Sequence, residues 1–502
     1  MRNVREKRFP AGSKRSGSAG DLAMPQSIGY CQIPSIGRNL HWLFPSGSFS
    51  ASGWIVLQFR RLQFHYLLST NRFAEALALA EADPEATRAG RAWALYRLGC
   101  YRSASALLRQ PRSGREALAL GISLAASGES EAGIALLRKA HEGGQFNGRQ
   151  LAAAAEAVAP YSLDTATHFC RAGAPVRAGL RIALLLAEGR QEEALAEARA
   201  AIGRGEGERE PDLHLLLANA AGDESAALPL ANDFLAAHGL SPVALIDPQR
   251  PISASNLASR VAAGSVRGPL VTITMPAYNT AERIGRSIES LLAQTYRDIE
   301  VLVADDASTD DTVAVVMALA ARDNRVRLIR RDQNGGPYAA RNLALANARG
   351  DFVTCQDSDD WAHPEKIARQ VRPLLKDKGL FFTLSNWVRV DDHGQFYARQ
   401  IYPLTRLNPA SPLFRREETL ARAGTYEDVR TGADSEYIAR LKLVFGWRGW
   451  RRLRQPLSFG AHRPGSLMTD AGTGIARGKV NLERLDYWEE WTARHIGRFA
   501  RK

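Results

Sequence analysis

Apolar and polar positions follow two different rules along this chain. From Leu270 onward, short continuous apolar runs alternate with stretches in which apolar residues return at helical spacing. Leu270-Val-Thr-Ile-Thr-Met275 reads as a buried strand, and residues 282–294 as a helix with Ile284, Ile288, Leu291 and Leu292 on its apolar side. Ile299–Ala304 is the next strand, Asp311–Arg322 the next helix, and Val326–Ile329 and Asp351–Cys355 two further strands. This rhythm predicts an α/β domain with a mostly parallel sheet, whose ligands bind beyond the carboxyl ends of the strands.

The stretch from Trp54 to Gly239 is different. It is rich in Ala, Leu, Arg and Glu and predicts helices. A small turn residue followed five positions later by Ala recurs there: Asn71/Ala76, Gly99/Ala104, Gly189/Ala194 and Gly222/Ala227, with Gly128/Gly133 as a weaker copy. The anchors stand 28, 29, 61 and 33 residues apart, so one copy is skipped in a period of about 30. Each unit reads as helix, turn, helix, with Ala where two helices approach closely, which predicts an α-helical solenoid. Arg91-Ala-Trp-Ala-Leu-Tyr-Arg-Leu-Gly99, with Tyr101 and Ala104, looks like half of a tetratricopeptide repeat.

The remaining pieces complete a multidomain plan: a poorly ordered segment 1–50, a TPR-like repeat domain 54–239, a linker 240–268, an α/β domain 269–477 and a C-terminal amphipathic helix 478–502. The linker reading rests on Pro242, Pro248 and Pro251 among Ser and Gly. The last helix places Leu482, Leu485, Trp488, Ile496 and Phe499 on one side, for packing on its own domain or for docking on a membrane surface. Phe445–Arg454 is basic and aromatic and reads as an acceptor flank, a lipid-headgroup contact or a solvated turn.

A net charge of +13 favours anionic partners, either phosphorylated substrates or an anionic membrane surface. No nucleic-acid-binding motif accompanies it. The 4 cysteines are scattered without zinc-ligand spacing, and no apolar stretch is long enough to span a bilayer. These features suggest a cytoplasmic protein that touches the inner face of the cell membrane peripherally.

The candidate chemistry sits at the strand ends. The first strand runs into Met275-Pro276-Ala277-Tyr278-Asn279, where an aromatic ring could take a stacked base. The second ends in Asp305-Asp306-Ala-Ser308-Thr-Asp310; helix capping accounts for Ser308 or Thr309 but not for two adjacent acids. The fourth ends in Asp357-Ser358-Asp359-Asp360, a set suited to a hard divalent cation that completes its shell with diphosphate oxygens. Asn334-Gly-Gly-Pro-Tyr338-Ala-Ala-Arg341 lies between them and places Arg341 early in a helix.

In this order and spacing the motifs resemble glycosyltransferase family two, with its GT-A nucleotide-sugar fold. The match is continuous from Leu270 to about Val371 and weaker to Ser466. The resemblance implies an inverting, hexosyltransferase-type enzyme that uses Mg²⁺ or Mn²⁺ and a nucleotide-diphosphate sugar, most simply a UDP-sugar. It implies that Pro276, Ala277, Tyr278 and Asp306 hold the nucleobase and that Arg341, Asp357 and Ser358 lie near the donor. Asp359 would be the metal ligand of an Asp-x-Asp motif. The base would be Asp434 in Arg430-Thr-Gly-Ala433-Asp434-Ser-Glu436-Tyr437, although Ala433 stands where the family carries Glu and only Glu436 could compensate. Within Gly460-Ala-His462-Arg463-Pro-Gly-Ser466, Arg463 is the residue expected to face the diphosphate, and His462 is not expected to ligate metal.

The acceptor implied is a glycan or lipid-linked hydroxyl in envelope or capsular polysaccharide synthesis, with the repeats free to recruit a protein partner. The competing reading is a non-catalytic, sugar-nucleotide-binding assembly protein acting through its helical repeats.

Overall fold

The computed structural model describes residues 49–81, 87–466 and 481–500. The segment expected to be poorly ordered, 1–50, lies almost wholly outside the described residues. Met1–Val56 and Leu57–Lys502 form two separate units.

The described helices begin with α1 (Phe49–Ser69), α2 (Phe73–Ala80), α3 (Arg88–Leu98) and α4 (Tyr101–Leu107). It continues with α5 (Gly114–Ala126), α6 (Ser130–Glu142), α7 (Gly148–Val158) and α8 (Leu163–Arg171). It closes with α9 (Ala178–Ala187), α10 (Gln191–Gly203), α11 (Asp212–Ala221) and α12 (Glu224–Ala237). Consecutive helices pack on one another, and α3, α5, α7 and α9, α11 also pack on next-but-one neighbours.

Each anchor of the turn signature lies between two helices in the left-handed region: Asn71 (φ 58°), Gly99 (80°), Gly128 (106°), Gly189 (77°) and Gly222 (60°). The residue five positions on is buried each time. The missing copy is the α7–α8 turn, Ala159-Pro-Tyr-Ser162, which uses no left-handed residue and instead caps α8 with Ser162 Oγ, accepting from Thr165 N at 3.2 Å.

The weak copy is explained by Gly133. A Cβ there would sit 2.3 Å from the Gly121 carbonyl oxygen and 2.8 Å from Ala125 N, both backbone atoms that cannot swing aside. Gly133→Val should therefore cost about 1–3 kcal/mol by overpacking, read as a lower urea midpoint. Gly203→Ala, whose Cβ meets nothing within 4 Å, should leave the midpoint unchanged or raise it.

Residues 240–268 carry a short antiparallel pair, β1 (Val243–Leu245) and β2 (Leu257–Ser259). Ile252, Ala254 and Leu257 enter the common core, and the buried Asn256 side chain ties Asp247, Arg250 and Pro251 together. The Pro- and Ser-containing stretch that suggested a linker is thus a packed connection around Ile252, Ala254 and Leu257, with Ile246 and Val266 exposed.

The α/β part contains β3 (Val271–Ala277), α13 (Ala281–Leu292), β4 (Ile299–Asp305), α14 (Thr312–Ala320), β5 (Val326–Arg330), α15 (Pro337–Ala346) and β6 (Phe352–Cys355). These match the expected elements to within a few residues. Then come β7 (Trp361–Ala362), α16 (Lys366–Lys376), β8 (Phe382–Val390), β9 (Phe396–Tyr397), β10 (Arg406–Leu407) and β11 (Leu413–Arg415). The chain ends with α17 (Arg416–Ala423), α18 (Ala433–Phe445), β12 (Trp450–Ala461) and α19 (Leu482–Ala500).

The sheet runs β5-β4-β3-β6-β11-β8-β12-β7, with β9 and β10 also paired to β8. Strands β3 to β6 are parallel, whereas β11 is antiparallel to both its neighbours, so the second half is mixed. The described architecture is a helical N-terminal region followed by an α/β domain built on this mixed sheet.

The two parts share one core. Leu213 and Leu216 of α11 pack in the same cluster as Val388, Phe396, Tyr402 and Phe459. Asn219 exchanges hydrogen bonds with the Phe396 backbone at 2.8 and 2.9 Å, and Asp212 accepts from Leu404 N at 2.8 Å.

Helix α19 is the second tie. Trp488 Nε1 donates to Leu98 O at 2.7 Å on the helical side, while His495 lies 3.0 Å from Glu436 in α18. Its Leu485 and Trp491 are buried against the protein, while Leu482 at its start stays exposed. In the stretch after α18, Phe445 stacks on Phe381 and Trp450 on Phe382, while Trp447, Arg448, Arg451, Arg452 and Arg454 are exposed.

Glu436 is buried, and burial alone would raise its pKa. Hydrogen bonds from His495 and Arg440 outweigh that and hold it below its usual value. This cluster therefore adds stability that is present above the unfolded carboxylate pKa and is lost as pH falls through the lower folded one. Glu436→Gln should lower stability at neutral pH by about 3 kcal/mol, since it strands the Arg440 charge. It should also flatten the acid limb of stability against pH in urea titrations; an unchanged limb would refute this assignment.

Candidate active site

Strand β3 is buried along its length, and its end delivers Pro276 and Ala277 to the sheet's carboxyl edge with Tyr278 50% exposed beyond them. Asn279 takes a left-handed turn (φ 47°), and its side-chain oxygen accepts from Thr309 N at 2.8 Å. Ser308 Oγ in turn accepts from Asn279 N at 3.0 Å. The loops after β3 and β4 are thus laced together.

Asp306 is 1% exposed. Its oxygens accept from Gly335 N at 3.0 Å and Gly336 N at 2.7 Å, and Arg331 Nε lies 3.0 Å away. A carboxylate beneath backbone amides explains why two acids can stand together at the β4 end, and it shapes the glycine loop. Gly336 has φ 89° and so favours glycine, whereas a Cβ on Gly335 would press on the flexible end of the Arg331 side chain. The residue expected to read the nucleobase is, in the structure, also the anchor of the loop beside it.

That loop starts α15, which buries Arg341. Its Nη2 donates to Asp357 Oδ1 at 2.6 Å, and its face lies over Tyr338 and Tyr426. Burial opposes the guanidinium charge, but Cys355, Asp357 and the two tyrosines outweigh it, so its pKa is raised. Two more of its nitrogens, Nε and Nη1, are buried with no hydrogen-bond partner. An unsatisfied buried cation of this kind marks a place for further acceptor oxygens.

After β6, the acids fan out. Asp357 is partly exposed and held by Arg341, and the neighbouring Ser358 is partly exposed as well. Asp359 accepts from Arg463 Nε at 2.9 Å, and Asp360 turns inward to accept from Ala461 N at 3.0 Å. Burial first, then the adjacent carboxylates, raises the pKa of Asp360; Asp359 is raised by burial despite Arg463. Beneath them Lys366 is fully buried and donates to Gln356 Oε1 at 2.5 Å. Burial pulls its pKa down to about 8, and Cys355, Asp360 and Asp357 oppose the fall. Sequence reading missed Lys366, because a lysine at a helix start carries no sign that it will face inward.

Asp357 and Asp359 suit a small divalent cation only in part. Among the described residues no three acidic, His or Cys side chains form a metal cage. Each carboxylate spends one oxygen on a guanidinium. Such a set fits Mg²⁺ or Mn²⁺ shared with substrate phosphates, and does not fit a dedicated protein site.

Opposite, Asp434 is the second residue of α18, half-buried, with Oδ1 accepting from Ser435 N at 2.7 Å. Tyr338 bridges the two sides. Its hydroxyl accepts from Gly432 N at 3.2 Å, and burial, followed by the Asp434 charge, pushes its pKa up. Ala433 is fully buried among Tyr338, Tyr426 and Tyr437, so its side chain faces the core. Glu436 does not compensate for it, being turned to Arg440 and His495. His462 stacks flat on Tyr397 at 3.7 Å, and burial with Arg389 lowers its pKa to about 4, so it stays neutral and away from the acids.

The fold and site define an α/β domain with an acid- and arginine-lined cleft at the carboxyl ends of parallel strands. Residues 272–429 match Glycosyl transferase family 2, and the chain carries a domain of that family. An uncharacterised glycosyltransferase of Haemophilus influenzae is 37% identical over 126 residues, 25% of this chain and 50% of that protein. The succinoglycan biosynthesis protein ExoO of Rhizobium meliloti is 47% identical over 103 residues, 20% of this chain and 29% of its own. The UDP-Glc:α-D-GlcNAc-diphosphoundecaprenol β-1,3-glucosyltransferase WfaP of Escherichia coli is 38% identical over 118 residues, 24% of this chain and 46% of its own. The matched region spans half or less of each relative's length.

Proposed function

We propose that this protein is an inverting glycosyltransferase. It would move a sugar from a nucleotide-diphosphate donor, most simply a UDP-sugar, to a hydroxyl of a glycan or lipid-linked acceptor in envelope or capsular polysaccharide synthesis. The observation that carries this is the arrangement of Asp357 with Arg341 and Asp359 with Arg463 at the edge of a family 2 domain, with Asp434 in the first turn of α18 near Tyr338. WfaP, whose name states a UDP-sugar donor and a diphosphoundecaprenol-linked acceptor, supports that choice of donor and acceptor class.

In this reading Tyr278, Pro276, Ala277 and Asp306 frame the nucleobase, and Ser358 lies beside the donor. Asp359 and Asp357 would hold Mg²⁺ or Mn²⁺, which supplies positive charge against the departing diphosphate. Arg341 has buried donors left over for phosphate oxygens. Asp434 takes the acceptor hydroxyl proton as that oxygen bonds to the anomeric carbon, and the bond to the diphosphate breaks with its electron pair leaving on the nucleotide. A single displacement inverts the anomeric centre. Proton NMR of the glycoside product should show the inverted anomer; the donor's own configuration would overturn the mechanism.

The helical region, as a tetratricopeptide-like array, would position the acceptor or recruit a protein partner. Among the described residues no helix is long and apolar enough to cross a membrane. The proposed place of action is the cytoplasmic face, reached peripherally.

A further inference from the structure

Strands β8 and β12 end in an aromatic patch that the proposed donor site does not use. β11 runs antiparallel to both β6 and β8, and β12 runs parallel to β8, so β6, β8 and β12 all end at the same sheet edge. Side chains alternate along a strand, which sets Trp387 and Arg389 on one face; Tyr397 and Gly460 stand opposite Arg389 in the neighbouring strands. The other face, with Val388 and Phe459, belongs to the core shared with the helical region. Arg389 lies over both rings, 5.6 Å from the Trp387 centroid and 5.9 Å from that of Tyr397. Tyr397 in turn stacks flat on His462. A Cβ on Gly460 would fall 2.7 Å from the Trp387 ring, so the missing side chain is what lets that ring lie against the β12 backbone.

Two features mark this patch as a binding surface. Arg389 Nη2 donates to Ala461 O at 2.9 Å, but its Nε and the Nδ1 of His462 are buried without hydrogen-bond partners. Trp387, Arg389, Tyr397 and His462 are each only half-buried. Half-buried rings beside unmet polar atoms suit a ligand with a C–H face and hydroxyls at its rim, as a pyranose has. The patch is also tied to the acids: Ala461 N donates to Asp360 at 3.0 Å, and Arg463, next to His462, donates to Asp359 at 2.9 Å.

We propose that Trp387 and Tyr397 form a stacking platform for a sugar ring of the acceptor, with Arg389 Nε donating to one of its hydroxyls. Along the sheet the order is β3 with Tyr278 at its end, β6 with the acids, then β8 and β12 with this platform, so the acids lie between it and the proposed nucleobase pocket. A nucleotide sugar laid along that edge ends in its own sugar near the acids, which leaves the platform to the second substrate. Strand β9 also exchanges hydrogen bonds with Asn219 of the helical region, offering an extended acceptor a path beyond the site. The inference rests on the transferase reading for the word acceptor; the platform would bind carbohydrate without it.

The test is saturation-transfer NMR on the full chain with the methyl glycosides of β-glucose, β-galactose and N-acetyl-β-glucosamine as probes. Transfer to the ring C–H protons of at least one is expected, with affinity about tenfold lower in Trp387→Leu and in Tyr397→Leu, the scale of losing one aromatic contact. Gly460→Ala keeps every ring but pushes Trp387 aside, and should weaken binding of the same probe. The Mn²⁺-dependent thermal shift with a nucleotide sugar should persist in these variants, which shows that they fold. Should one aromatic variant not fold, the other and Gly460→Ala carry the comparison. No transfer to any probe, or transfer unchanged in the variants, overturns the proposal and leaves the transferase reading intact. Displacement of the probe by the nucleotide sugar would assign the platform to the donor's own sugar and overturn it as well. Probe binding at the platform without any nucleotide-sugar shift would instead sink the transferase reading.

Discussion

Asp359→Ala is expected to lower sugar transfer by roughly a hundred- to a thousandfold, the scale of losing one electrostatic stabiliser of a leaving group. The fold should survive. Asp359 is held near Asp357 and Asp360 under burial that raises its pKa, so the folded state gains little from its charge. Removing it relieves like-charge repulsion and frees Arg463, and thermal stability should stay equal or rise, as happens where function keeps a strained site. Steady-state turnover alongside thermal unfolding checks both halves. Wild-type turnover in a well-folded variant would contradict the role assigned here.

Asp434→Asn should lower kcat by about 10²–10⁴-fold, because an amide cannot take the acceptor proton. The substitution is isosteric and keeps the oxygen that accepts from Ser435 N, so α18 should remain in place. Donor affinity should not change, which separates a lost base from a damaged pocket. No neighbouring acid is placed to rescue the variant: Ala433 faces the core and Glu436 is committed to Arg440 and His495. Glu436→Gln should accordingly affect stability and leave the pH dependence of kcat alone, the opposite pattern to Asp434→Asn.

Much of this was legible along the chain, for reasons that can be named. The first parallel strands are short continuous apolar runs because helices cover both of their faces, and such runs survive any register uncertainty. The helical turns were legible because a left-handed position followed by a close approach restricts residue type at two fixed places. Asn71, Gly99, Gly128, Gly189 and Gly222 all occupy that conformation. The acids at the β4 and β6 ends were legible because like charges in sequence demand a reason.

Other features depend on groups far apart in sequence. Residues 240–268 look like a tether by composition, yet Ile252 and Leu257 find a core supplied by α11, α12 and the sheet. The inward turn of Glu436 depends on His495, 59 positions away. Lys366 reads as an ordinary surface lysine until the fold buries it within reach of Asp357 and Asp360.

The central claim is that the cleft between Tyr278, Arg341 and Asp359 holds a nucleotide sugar together with a divalent cation. Thermal shift of the purified protein with UDP-, GDP-, CMP- and dTDP-sugars, each with and without Mn²⁺, tests it most directly. The account predicts a rise in unfolding temperature with one nucleotide, dependent on Mn²⁺ and absent in Asp359→Ala. No shift with any of the four would contradict it and favour a non-catalytic assembly protein that works through its helical repeats.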